Sequence, residues 1–112
     1  MVRKGRKITV VNLMVTVESM DPVTVDDCAR RIRAAADEAG LRVAGPGPYR
    51  RRGELTVAQE SGASRYVGRI HGRWLRLYQV TEGDLEPLLN LQLPRSSSVN
   101  VEVMPDRRQA GA

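Results

Sequence analysis

Two strand-forming runs, "ELTVAQE" and "RYVGRIHGRWLRLYQV", are separated only by the four residues "SGAS". Parallel strands need a crossover of about a dozen residues or more, so these two runs must pair antiparallel as a long hairpin. In the second run Arg69, His71 and Arg73 alternate, which in an extended chain sends all three to one side. On that same side the character turns apolar at Leu75 and Leu77. One end of the strand suits a core; the other suits a polyanion.

The rest of the chain supplies the partners for this hairpin. Ile8 to Val17 is dense in Val, Ile, Thr and Leu, which predicts a strand buried on both faces and central in its sheet. "ESMDP" breaks it. Thr24 is the expected helix cap, with Asp27 three residues later in a capping-box arrangement. Val25, Cys28, Ala29, Ile32, Ala35, Ala36 and Ala39 recur at helical spacing, and Gly40 stands where a C-terminal cap belongs. The opposite face carries mixed charge and reads as a solvated surface. In "GPGPYRRRG" two prolines cannot donate to a ladder, so that piece is an edge, a bulge or a projecting loop. Thr81 is placed to cap a second helix over "EGDLEPLLNL", with Leu85, Leu88 and Leu89 facing inward and Pro87 acceptable only near the first turn. "VNVEV" alternates as a last strand with one polar face.

The order strand, helix, strand, strand, helix, strand predicts an α+β, ferredoxin-like βαββαβ fold with both helices on one face of a four-stranded antiparallel sheet. Residues 8–104 form this domain, with a projecting hairpin over 41–76. Residues 1–7 are read as a basic extension and 105–112 as a tail.

Charge is distributed unevenly along this frame. From Leu41 to Arg76 there are eight arginines and two glutamates, whereas the rest of the chain holds ten basic and eleven acidic residues. A solubilising surface intersperses both signs. A net charge of +5 concentrated in one third of the chain points instead to a binding arm for a polyanion on a nearly neutral body. Arginine outnumbers lysine sixteen to two, and guanidinium both grips phosphate bidentately and stacks on bases. The expected RNA-binding residues are Arg50, Arg51, Arg52, Arg65, Arg69, His71, Arg73 and Arg76, with Tyr49 and Tyr66 available for stacking.

Several function classes are disfavoured. With one histidine, one cysteine and no G-x-S-x-G motif, nucleophile-plus-base sets cannot be assembled beyond His71, and no catalytic residue is expected. Between two arginines, His71 suits a hydrogen-bonding or stacking role better than general-base work. "GPGP" lacks the Lys-Ser/Thr pair of a phosphate-binding loop. No metal-site spacing, cofactor site or small-molecule substrate is read, and Cys28 is expected to be a core thiol. No apolar run nears the roughly 20 residues of a membrane span, and no secretory signal is visible. RNA-recognition-motif domains share the topology but read bases with aromatics on central strands. This chain has no Phe, and "ITVVNLMVTV" has no aromatic.

The run "YVGRIHGRWLRLYQVTEGDLEPLLNLQLP" resembles the small-subunit ribosomal protein ten family, also known as the antitermination subunit N-utilisation-substance E. It matches the family's Arg-x-His-x-Arg strand, apolar return, Thr-initiated helix and closing Leu-x-Leu-Pro without a gap. "AGLRVAGP" resembles the helix end and Gly-Pro that open the family's projecting hairpin. The similarity covers roughly Ile8 to Val103, and Arg69, His71 and Arg73 fall on the Arg-x-His-x-Arg positions. The resemblance implies a non-catalytic constituent of the ribosomal head. Its hairpin would be inserted among small-subunit ribosomal RNA and neighbouring ribosomal proteins three, nine and fourteen. A protein-interaction module outside the ribosome, such as an antitermination partner, is the alternative it implies. "GPGPYRRR" departs from the family's aliphatics and Pro-Thr, and "SGASR" is shorter than the bacterial loop. These departures, with the short basic N-terminus, favour a mitochondrial small subunit over a bacterial cytoplasmic one.

Overall fold

The computed structural model describes residues 10–59 and 62–104. Its elements run β1 (Val11–Ser19), α1 (Pro22–Glu38), β2 (Arg42–Gln59), β3 (Gly62–Val80), α2 (Glu82–Leu89) and β4 (Ser98–Met104). The sheet order is β2-β3-β1-β4, every neighbouring pair antiparallel. This is the ferredoxin-like α+β arrangement that the element order predicts.

β1 is central, but its burial strictly alternates: Leu13, Val15, Val17 and Ser19 are buried and the residues between them are only partly covered. Both helices lie on one face, so the other face of even this central strand is not closed over. That corrects the expectation of burial on both sides. Ile8 and Thr9 lie outside the described residues.

α1 starts one turn earlier than its sequence suggests. Asp21, not Thr24, is the N-cap: its carboxylate accepts from the Val23 amide at 3.1 Å and from the Thr24 hydroxyl at 3.0 Å. Pro22 then opens the helix, where its missing N–H costs nothing. Val25, Cys28, Ala29, Ile32 and Ala36 are buried, while Ala39 is the exposed C-cap and Gly40 follows at φ +75°. That left-handed turn suits glycine. The buried face packs on Leu13, Val15, Val17, Leu75, Leu77 and Val80 to form the main core. Cys28 is free and fully buried, and burial pushes its thiol pKa up.

Thr81 caps α2 through a capping box with Asp84. Leu85 and Leu88 pack against the core, but Leu89 points outward at 73% exposure. Pro87 is the sixth helical residue, beyond the first turn, so the Gly83 carbonyl loses its usual amide donor. The helix is short, which limits that cost.

β1 ends against His71, so β3 is held between two strands from His71 onward and pairs with β2 alone before it. The free projection is therefore 51–59 with 62–70, shorter than the whole 41–76 segment. "GPGPYRRRG" is continuous strand at the sheet edge, with a bulge between Ala44 and Gly47. Of the expected turn "SGAS", Gly62, Ala63 and Ser64 already belong to β3, and Ser61 lies outside the described residues. The projection has its own apolar patch: Ile70, Leu55 and Val57 are buried, with Tyr66 against them.

Candidate nucleic-acid interface

Period-two alternation divides the hairpin into two unlike faces. The face continuous with the helix-covered side carries Arg50, Arg52, Arg65, Arg69, His71 and Arg73. The register sets Arg50 opposite His71 and Arg52 opposite Arg69. Two consecutive rungs on one face thus present four nitrogen-rich side chains. Arg50, Arg52 and Arg69 are exposed and His71 is partly so, and among the described residues none of them makes an ion pair with a carboxylate. At the Arg52–Arg69 rung like charges stand directly opposite and repel, which costs stability unless an anion lies across them.

The other expected residues sit differently. Arg65 shares this face but is paired with Glu54. Arg73 is still within the three-stranded part of the sheet, where its Nε donates to Asp26 of α1 at 2.8 Å and its side chain is 16% exposed. It ties the hairpin base to the first helix. Arg51 and Arg76 lie on the opposite, helix-free face. Arg51 donates to both Glu18 oxygens, at 2.8 and 2.9 Å, and Arg76 stands 5.4 Å from the Trp74 ring centroid. The eight arginine and histidine positions thus split into an outward group of four and four others held by a carboxylate or a ring.

The helix-free face has an ionic centre of its own. Glu18 of β1 accepts from Arg51 and also from the Tyr49 hydroxyl at 2.9 Å. The Arg51 hydrogen bond holds the Glu18 carboxyl below its ordinary pKa despite partial burial, with the Tyr49 hydrogen bond adding to the effect. Burial, reinforced by the adjacent Glu18 carboxylate, pushes the Tyr49 phenol up to about 12. This cluster links the edge strand β2 across β3 to β1.

The helix arginines are occupied as well. Arg30 and Arg31 pair with Asp27, and Arg33 pairs with Asp37 while donating to the Gly45 carbonyl at the hairpin base. Local sequence does not mark Glu18, Asp26 or Trp74 as residues acting on this site. Alternation carried the only signal for Trp74, which stands two residues from Gly72 and from Arg76. Glu18 and Asp26 carried no signal, since only strand register and the packing of α1 on the sheet bring them near.

No curated protein matches the chain. The family model described as ribosomal protein S10p/S20e matches residues 14–104, from within β1 to the end of β4. On that match, supported by the fold just described, the chain belongs to the ribosomal protein S10p/S20e family.

Proposed function

We propose that this ribosomal protein acts as a structural constituent of the small-subunit head, gripping ribosomal RNA with the outward face of its hairpin. The observation that carries the reading is the pair of rungs Arg50–His71 and Arg52–Arg69. They run from the rung where β1 ends into the free projection and set two guanidiniums opposite one another at Arg52–Arg69, without carboxylate partners among the described residues. Such an arrangement is repulsive alone and favourable against phosphate. Arg65 reaches the same RNA surface if it exchanges Glu54 for phosphate. Arg73 supports the mount, and Arg51 and Arg76 belong to the other face.

Changing Arg50, Arg52 and Arg69 together to Ala tests this. The triple variant is expected to fold and to be incorporated poorly into small subunits, with a shallower salt dependence of RNA binding. Arg73 is left in place because its loss would also free Asp26 and loosen α1. Normal incorporation with an unchanged salt slope would sink the reading.

Neighbouring proteins three, nine and fourteen are inferred from the family resemblance, and a mitochondrial rather than a bacterial subunit from the departure in "GPGPYRRR". Fractionation of the source cell, followed by sedimentation of its ribosomes, tests both. A second reading, a protein-interaction module outside the ribosome such as an antitermination partner, draws support from an apolar groove between α2 and β4. It has a volume of about 280 Å3 and is lined by Leu85, Leu88, Leu93, Val99 and Val101 among others. A stable heterodimer free of ribosomes would favour that reading, and co-sedimentation with small subunits the first.

A further inference from the structure

On the helix-free face two aromatic rings lie flat across glycines of the facing strand. Trp74 of β3 is paired with Gly47 of β2, and a Cβ added at Gly47 would run into the indole. One rung further on the arrangement is reversed: Tyr49 of β2 is paired with Gly72 of β3, and a Cβ at Gly72 would run into the phenol ring. Each ring is thereby supported from beneath by backbone and turns its other side away from the sheet. Both are partly exposed, and neither helix lies on this side.

The charges around the rings are mostly cationic. Arg76 stands over Trp74, and Arg42 stands 5.1 Å from the ring centroid of Tyr78, which is on the same face. Both guanidiniums are exposed, and among the described residues neither is paired with a carboxylate. Glu18 on this face is already neutralised by Arg51. Flat rings held at fixed positions, with exposed cations beside them, match the needs of unpaired bases strung on a phosphate chain. An apolar protein surface would leave Arg42 and Arg76 without partners.

We propose that this face, centred on Trp74 and Tyr49, is a stacking site for the bases of single-stranded RNA. A base stacks on the indole in place of the Arg76 guanidinium, which turns to the adjoining phosphate. The site is on the opposite face from Arg50, Arg52 and Arg69, so it does not depend on the phosphate-gripping role of the hairpin.

Trp74 is the only tryptophan in the chain, so its fluorescence reports the event directly. The full chain is titrated with a ten-nucleotide oligoadenylate RNA and with an abasic sugar-phosphate strand of equal length. The RNA is expected to quench the emission and to bind on the order of tenfold more tightly than the abasic strand. Trp74→Leu, its fold checked by circular dichroism and its affinity read from the anisotropy of end-labelled RNA, is expected to lose about that factor. If Trp74→Leu does not fold, the quenching and the abasic comparison on the unaltered chain decide. Equal affinity for both strands, or emission that responds only to another ribosomal protein and not to RNA, would overturn the proposal.

Discussion

Arg52 and Arg69 are register partners across the hairpin, so two guanidiniums extend from the same face of the same rung. A sheet built for stability alone would place opposite charges there. Replacing Arg52 by Thr is expected to stabilise the isolated chain by roughly 0.2–1 kcal/mol. The same change is expected to lower the slope of log affinity against log salt by about 0.7–0.9 if one phosphate contact is lost. Urea melts and salt titrations of RNA binding measure the two effects. A variant that gains neither stability nor a shallower slope would remove the case for a strained cationic rung.

Glu18 provides an acid-side test. Its carboxyl is held below the ordinary range in the folded chain, so its stabilisation is complete above the unfolded pKa and is lost as pH falls through the folded one. Glu18→Gln is expected to cost about 1 kcal/mol at neutral pH, since Arg51 is partly exposed and its bond is screened. The gap between variant and parent should close below about pH 4. Chemical melts at a series of pH values show whether it does.

Tyr49 gives the alkaline counterpart. A phenol pKa raised to about 12 means stability that is full below the ordinary value near 10 and drains away as pH rises towards 12. Phenolate absorbance should show one of the three tyrosines ionising late, and Tyr49→Phe should remove that late step. If the late step survives in the variant, the Tyr49–Glu18 contact is not what delays it.

The first helix depends on Asp21 for its cap. Asp21→Ala is expected to cost about 1 kcal/mol, with Thr24→Ala costing less because the Thr24 hydroxyl only braces the capping carboxylate. Thermal unfolding of both variants ranks them. The reverse order would restore Thr24 as the cap.

The projection is expected to resist local opening because it carries buried Ile70, Leu55 and Val57. Ile70→Ala should cost roughly 2–4 kcal/mol, a core-sized loss for a residue beyond the end of β1. Amide exchange in 51–57 and 64–70 should rise in the variant before exchange in α1 does. Uniform exchange across the chain would mean that the patch gives the hairpin no order of its own.

Much of this was legible from local pattern. The four-residue gap between two strand runs dictated the hairpin, and helical spacing from Val25 to Ala36 dictated the face of α1. The turn from Arg69 and His71 to Leu75 and Leu77 foretold that one strand would pass from projection into core. The misjudged pieces share a cause. Leu89 and Ala39 fit a helical stripe but fall where a helix ends and nothing packs over it. The polar half of β1 is burial-ready in composition, yet none of the described elements covers that side.

Alternation and spacing are properties of neighbouring residues, so the chain by itself determined which side chains share a face and how the elements succeed one another. It also concentrated the positive charge in one third of its length. Which of those cations would be free was decided only by folding. Asp26 reaches Arg73 across 47 residues, and Glu18 reaches Arg51 across 33, through contacts that exist only once β1, β2, β3 and α1 have taken up their register. The pairing of Trp74 with Gly47 and of Tyr49 with Gly72 arose in the same way. Opposed positions on two strands are fixed by the bulge and ladder between them, and no local pattern encodes that offset.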